Sequence, residues 1–168
     1  AIQSQGVASC LKHFPGYGNN PDTHTGSTTD NRSYDDIMKN DIPPFEAGIE
    51  SGAEAVLVSH NTVTNIDSSN PASLSPAVHT LLRNNLKFTG VIITDDIAMG
   101  ATNGIDNATV KAILAGNDLV ITTDYEKSIN SVKTAVNNGT LSENQIDKAV
   151  FRVLAWKYYK MILAENEK

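Results

Sequence analysis

The chain has 168 residues and a mass of 18.0 kDa, room for one domain, and a chain of this size buries roughly 70% of its unfolded surface. Apolar residues make up 40% and charged residues 19%, a folded rather than a disordered composition. Thirteen basic against nineteen acidic residues give a net charge of −6, which argues against nucleic acid as the main partner. The single cysteine, Cys10, excludes an internal disulfide and any multi-cysteine metal site. Its apolar surroundings, Val7 to Leu11, predict a buried, inert thiol. No run approaches the ~18 apolar residues of a membrane span. The chain opens Ala1-Ile2-Gln3 without a basic region or an initiator Met, which reads as a cut end and leaves the compartment open between cytoplasm and exterior.

Apolar strand-like runs alternate with helical spacing. The first strand is expected over 7–13, ending in Phe14-Pro15-Gly16-Tyr17-Gly18, and a polar loop follows to about Ser33. Ile37, Met38, Ile42, Phe45 and Ile49 recur near helical spacing, and Pro43-Pro44 predicts a break between two short helices. A second strand over 53–59 ends at His60, and a polar loop leads to Ser75-Pro76, a helix start with Ser75 as N-cap. The helix carries Val78, Leu81, Leu82 and Leu86, with His79 expected at the surface. A third strand, Val91 to Thr94, ends at Asp95-Asp96, and a short helix is expected from Asn107 to Ala115. A fourth strand, over 118–122, ends at Thr123-Asp124. Helices are then expected from Tyr125 to Asn137 and from Ser142 onward, the latter opened by a capping box with Gln145. The order βαβαβαβα with Val/Ile-rich strands predicts an α/β fold around a parallel sheet covered on both faces.

Every strand ends in chemistry-bearing residues: Lys12-His13, Ser59-His60, Thr94-Asp95-Asp96 and Thr123-Asp124. In parallel α/β folds the C-terminal strand ends form the site, so these four ends are expected on one rim. Lys12-His13-Phe14-Pro15-Gly16-Tyr17-Gly18, followed by Asp22-Thr23-His24, resembles glycoside hydrolase family 3, and within it the bacterial β-N-acetylglucosaminidases. The runs 52–60, 71–75 and 90–99, with Thr94-Asp95-Asp96 and Met99, carry the same resemblance in the same order. Tyr17 stands where many relatives have His, and Asn19-Asn20 where they have Asp-Thr.

The resemblance implies a (β/α)8 TIM-type barrel, of which residues 1–168 supply the C-terminal half, strands five to eight with their helices. A full barrel of this type takes about 250 residues and eight strands. The missing N-terminal half, or a second copy of the chain, is therefore an expected partner. The implied activity is that of a retaining exo-glycosidase releasing terminal β-linked N-acetylglucosamine, with peptidoglycan fragments as the source. No cofactor and no metal are implied.

Asp95, the first acid after a buried strand, takes the role of nucleophile in the resemblance, forming a glycosyl-enzyme intermediate. His24 is expected to be the general acid/base with Asp22, two residues away, fixing its tautomer. Lys12 and His13 are implied as ligands of the sugar hydroxyls, and His60 as a further sugar-site residue. Met99 suits either the apolar face of the sugar or the core. Asp96 reads as a capping or loop-ordering residue. Two other readings compete: an inactive fragment, and a flavodoxin-like binding or phosphoacceptor module built on Asp95. The second asks for acids at the end of the first strand, where this chain has Lys12-His13.

Overall fold

The structure, a computed structural model, describes residues 2–21, 23–24 and 26–166, with side chains described through Tyr159. The strands are β1 (Cys10–Phe14), β2 (Thr29–Asp30), β3 (Ala55–Val58), β4 (Thr62–Val63) and β5 (Val91–Thr94). The helices are α1 (Tyr34–Asn40), α2 (Ile42–Glu50), α3 (Pro76–Thr80), α4 (Ala108–Ala115), α5 (Tyr125–Asn137) and α6 (Glu143–Asn166). The main sheet is parallel in the order β1-β3-β5, and β2 pairs with β4 in a small parallel sheet of its own. A flavodoxin-like sheet sets its first strand between the second and third. Here β3 is central and β1 lies at the edge, so that alternative does not hold.

Most helix ends follow their local chemistry. Ser33 caps α1 by accepting from the Asp36 N–H, Ser75 caps α3 from the Val78 N–H, and Asp124 caps α5 from the Lys127 N–H. Ser142 and Gln145 bond reciprocally at the start of α6. Pro43 and Pro44 do not form the break between α1 and α2. They sit in the first turn of α2, where a missing N–H costs nothing, and the chain bends at Asp41.

The main core joins Phe14, Val56, Val58 and Ile92 of the sheet to Ile37, Ile42 and Phe45 of α1–α2 and Val78 of α3, with Leu81 and Leu82 of the π-helical turn after it. Phe14 and Phe45 meet edge to face, 5.1 Å between ring centroids. Alternate strand residues point the other way, and there Leu57 and Ile93 are only half-buried while Cys10 is exposed. The expectation of a sheet covered on both faces is thus corrected: the apolar core lies on one face. The buried thiol expected at Cys10 is corrected for the same reason, because its side chain lies on the uncovered face.

The fourth strand is reduced to one parallel bridge between Ile93 and Leu119, extended by bonds from Thr94 N–H to the Leu119 carbonyl and from Ile97 N–H to the Ile121 carbonyl. Asp118 ties this segment down. Its side chain, 1% exposed, accepts from Arg83 Nη2 at 2.6 Å, from the Ile92 N–H at 2.9 Å and from Arg152 Nη1 at 3.0 Å. His79, expected at the surface, is buried against Gly116, and its Nδ1 bonds the Ser75 carbonyl at 2.8 Å. Helix periodicity set it on the inner side of α3, toward α4. Among the described residues no helix is long and apolar enough to cross a membrane.

Candidate active site

The register of β1 against β3 shifts between Leu11 and Phe14, leaving one extra residue in β1 at Lys12-His13. Bulges of this kind re-aim side chains beside functional sites. Lys12 is exposed and His13 half-exposed, and His13 Nε2 stands 3.9 Å from Asp95 Oδ2, so the ends of β1 and β5 meet on one rim. The Lys12–His13 and Phe14–Pro15 peptides are cis. A cavity of about 410 Å³ opens on the β1 side, bounded by Lys12, His13, Tyr17, Asp41 and Phe45. Asp95 is not among the residues that line it.

Asp95 is held from three directions. Its N–H donates to the Val58 carbonyl at 3.0 Å, and its Oδ1 accepts the Asp96 N–H at 2.9 Å. That leaves Oδ2 on the His13 side. The Asp96 carboxylate accepts the Ala98 N–H, the loop-ordering role expected of it, while the Asp96 carbonyl accepts from Met99 N–H and from His60 Nε2, each at 3.0 Å.

His60 is 1% exposed and both ring nitrogens are engaged within the protein, Nδ1 with Ser73 Oγ at 2.6 Å. A carbonyl only accepts, so Nε2 carries the proton and Nδ1 accepts from Ser73. Burial holds the His60 pKa below its usual value, against the pull of the Asp96 hydrogen bond and the charges of Asp95 and Asp96. The ring is therefore neutral near pH 7. His60 does not face the rim as the sugar contact it was expected to be; it fixes the turn that presents Asp95. Its neighbours brace the opposite loop. Ser59 Oγ bonds the Phe14 carbonyl at 2.9 Å and Asn61 Oδ1, and Asn61 Nδ2 donates to the Gly16 carbonyl at 3.2 Å. Ser59, His60 and Asn61, all buried, thus connect the turn after β1 to the turn after β5.

The loop carrying His24 is anchored at Thr23, which is fully buried. Tyr17 Oη and Thr23 Oγ1 are 2.5 Å apart, and the Tyr17 ring meets His13 edge to face at 5.6 Å. On its other side, Gly100 N–H donates to the His24 carbonyl at 3.1 Å and Ala101 N–H to the Thr23 carbonyl at 3.3 Å. The His24 backbone is therefore fastened to the loop that follows Asp95, with the residue itself exposed. Asp22, its expected partner, lies outside the described residues. Met99 is buried, 8% exposed, which places it in the packing of this loop rather than on an open sugar face. Asp124 caps α5, so the fourth strand end is committed to a helix. Among the described residues no group of three or more His, Cys, Asp or Glu is placed to hold a metal ion.

Sequence reasoning missed the bonds that join Ser59 to Asn61 and His60 to Ser73, and a part-buried ion cluster of Asp30, Arg32 and Asp41. A polar run closing an apolar strand was the one available signal for the first. For the second there was none, since its members sit in a stretch that reads as loop.

A rim with a carboxylate at one strand end, a cationic and imidazole-bearing strand end beside it, and a histidine loop tied across both agrees with one family. The sequence profile described as "Glycosyl hydrolase family 3 N terminal domain" matches residues 1–156. The chain belongs to glycosyl hydrolase family 3. A β-hexosaminidase of Stenotrophomonas maltophilia is 41% identical over 125 residues, covering 71% of this chain and 37% of the relative. A β-hexosaminidase of Xanthomonas campestris pv. campestris is 34% identical over 146 residues, 84% of this chain and 44% of the relative. Among solved structures, the family 3 β-N-acetylglucosaminidase from Paenibacillus sp. str. FPU-7 superposes with a TM-score of 0.89 at 32% identity, over 95% of this chain and 32% of that one. The β-glucoside phosphorylase BglX bound to 2FGlc gives 0.88 at 30% identity, over 97% and 32%. This family 3 chain thus spans less than half the length of the relatives it matches.

Proposed function

We propose that residues 1–168 are the catalytic portion of a retaining exo-glycosidase that releases terminal β-linked N-acetylglucosamine, with peptidoglycan fragments as its source. The observation that carries the reading is the meeting of Asp95, His13 and the Thr23-His24 loop on one rim of a family 3 chain. The names of the β-hexosaminidase relatives support the choice of sugar.

In this reading Asp95 Oδ2 attacks the anomeric carbon while His24 protonates the departing oxygen, giving an ester between sugar and Asp95. In the second half His24 takes a proton from water, the water oxygen bonds to the anomeric carbon, and the Asp95 carboxylate leaves. An imidazole can both give and take up a proton in neutral solution, which suits both transfers, and Asp22 is proposed to fix the tautomer of His24. Lys12 and His13 hold sugar hydroxyls. His60 keeps the Asp95 carboxylate at its angle of attack by locking the following peptide through the Asp96 carbonyl, which the Met99 N–H also engages.

The chain works, we propose, as strands five to eight of a (β/α)8 barrel completed by an N-terminal half or by a second copy. Three features support this: the strand order that never reverses, the half-exposed Leu57 and Ile93 on the uncovered face, and the length of the relatives. In the completed unit, Asp95→Asn should abolish release of N-acetylglucosamine from an aryl β-glycoside. Turnover within tenfold of the unsubstituted unit would overturn the assignment.

A further inference from the structure

We propose that Arg32 is a positioning residue that clamps both feet of the His24 loop, and so holds the proton donor over the rim. The inference rests on the reading of His24 as acid/base.

The loop leaves β1 through Gly16-Tyr17-Gly18 and returns at β2. Its returning foot is Asp30, whose side chain is 1% exposed. Both Asp30 oxygens receive Arg32: Nε donates to Oδ1 and Oδ2 at 3.1 Å each, and Nη2 donates to Oδ2 at 2.7 Å. The third guanidinium nitrogen, Nη1, donates to Asp41 Oδ2 at 2.6 Å, across the bend between α1 and α2. The departing foot lies directly on this cluster. A Cβ at Gly18, which has φ +54°, would stand 2.6 Å from Arg32 Cζ, and one at Gly16, φ +123°, would stand 2.6 Å from Asp41 Oδ1. Glycine at these two places lets the backbone rest on the guanidinium and on its carboxylate. Asn20, on the same foot, donates to the Tyr17 carbonyl at 2.8 Å and hydrogen-bonds Asp30.

Asp41 stands at the N-cap of α2 without capping it, and among the described residues Arg32 is the one cation paired with Asp30. Burial works to raise the Asp30 carboxyl, but the hydrogen bonds and charge of Arg32 outweigh it and hold the group below the usual carboxylate range. The carboxylate therefore stays charged and clamped throughout neutral pH. A planar fork is needed to engage two carboxylates at once; a lysine ammonium reaches one of them.

The test is amide hydrogen exchange in the 168-residue chain, with leaving-group dependence in the completed catalytic unit. Arg32→Met should speed exchange of residues 17–28 at least tenfold while β3 and β5 keep their protection. It should also slow glycosides with poor leaving groups at least tenfold more than activated aryl glycosides, and Arg32→Lys should restore part of both losses. Asp41→Asn, which keeps the Asp30 pair, serves if Arg32→Met does not fold, with the same pattern in weaker form. Unchanged exchange in 17–28 would overturn the clamp. Faster exchange with equal losses for all leaving groups would uphold the clamp and overturn the role of His24.

Discussion

Asp118 joins three elements that otherwise have little in common, and its removal makes a quantitative test of the packing. In Asp118→Ala the Ile92 N–H loses its carboxylate partner, and an unsatisfied buried donor costs about 1–3 kcal/mol. Arg83 loses the charge that balances it. Breaking a buried pair from one side costs about 3–5 kcal/mol. Arg83 keeps its bonds to the Phe88 and Gly90 carbonyls and its place over the Phe88 ring, which moderates that loss. The bond to Arg152, whose side chain is 37% exposed, adds at most about 1 kcal/mol. The expected loss is therefore about 4 kcal/mol, a large part of the ~5–15 kcal/mol that holds a domain together. With a urea m-value of about 2 kcal/mol per M, the midpoint should fall by about 2 M, read by circular dichroism. Arg152→Ala should lose less than about 1 kcal/mol. A loss below about 1 kcal/mol in Asp118→Ala, or equal losses in the two variants, would show that Asp118 does not tie these elements together.

His60 and His79 both have pKa values pushed below the ordinary 6.5 by burial, so each is neutral when folded and takes up a proton more readily when unfolded. Their contribution is fully present above about pH 6.5 and declines as the pH falls below it, so unfolding free energy should drop between pH 7.5 and 5.5; equal or higher stability at pH 5.5 would contradict this. Asp30 and Asp67, held below their ordinary 3.8, add a loss only in more acidic solution. His24→Ala in the completed unit should slow glycosides with poor leaving groups far more than activated ones, with Asp22→Ala weaker in the same sense; uniform slowing would make His24 a binding residue. On the half-barrel reading, residues 1–168 alone should show no N-acetylglucosaminidase activity and should associate in solution, because that reading leaves the rim incomplete and the sheet edges open. A monodisperse, active monomer by native mass spectrometry would refute the half-barrel reading.

The alternating pattern of the fold was legible because each strand is a short apolar run with a punctuated end. The bounds of α5, Tyr125–Asn137, follow from Asp124 before it and Gly139 after it. What failed depended on partners distant in the chain. The 118–122 run reads as a strand, yet among the described residues it makes a single ladder bridge, at Leu119. Cys10 has an apolar neighbourhood in sequence and a place on the uncovered face in space. His60 looked like a ligand because a histidine at a strand end has the same local signature whether it faces substrate or core. Its burial is decided by Ser73, thirteen residues later, and by the Asp96 carbonyl. The motifs single out Asp95 and His24 as candidates, whereas Arg32 became visible only once two carboxylates and two glycines closed around it.

The proposed mechanism turns on a covalent bond between Asp95 and the sugar. Incubating the completed catalytic unit with a slow fluorinated N-acetylglucosaminyl donor, then mapping the modified peptide by mass spectrometry, tests it directly. One sugar per unit should be recovered, esterified to Asp95 in the peptide spanning residues 91–99, and Asp95→Asn should remain unlabelled. A label on another residue, or full labelling of Asp95→Asn, would contradict the account.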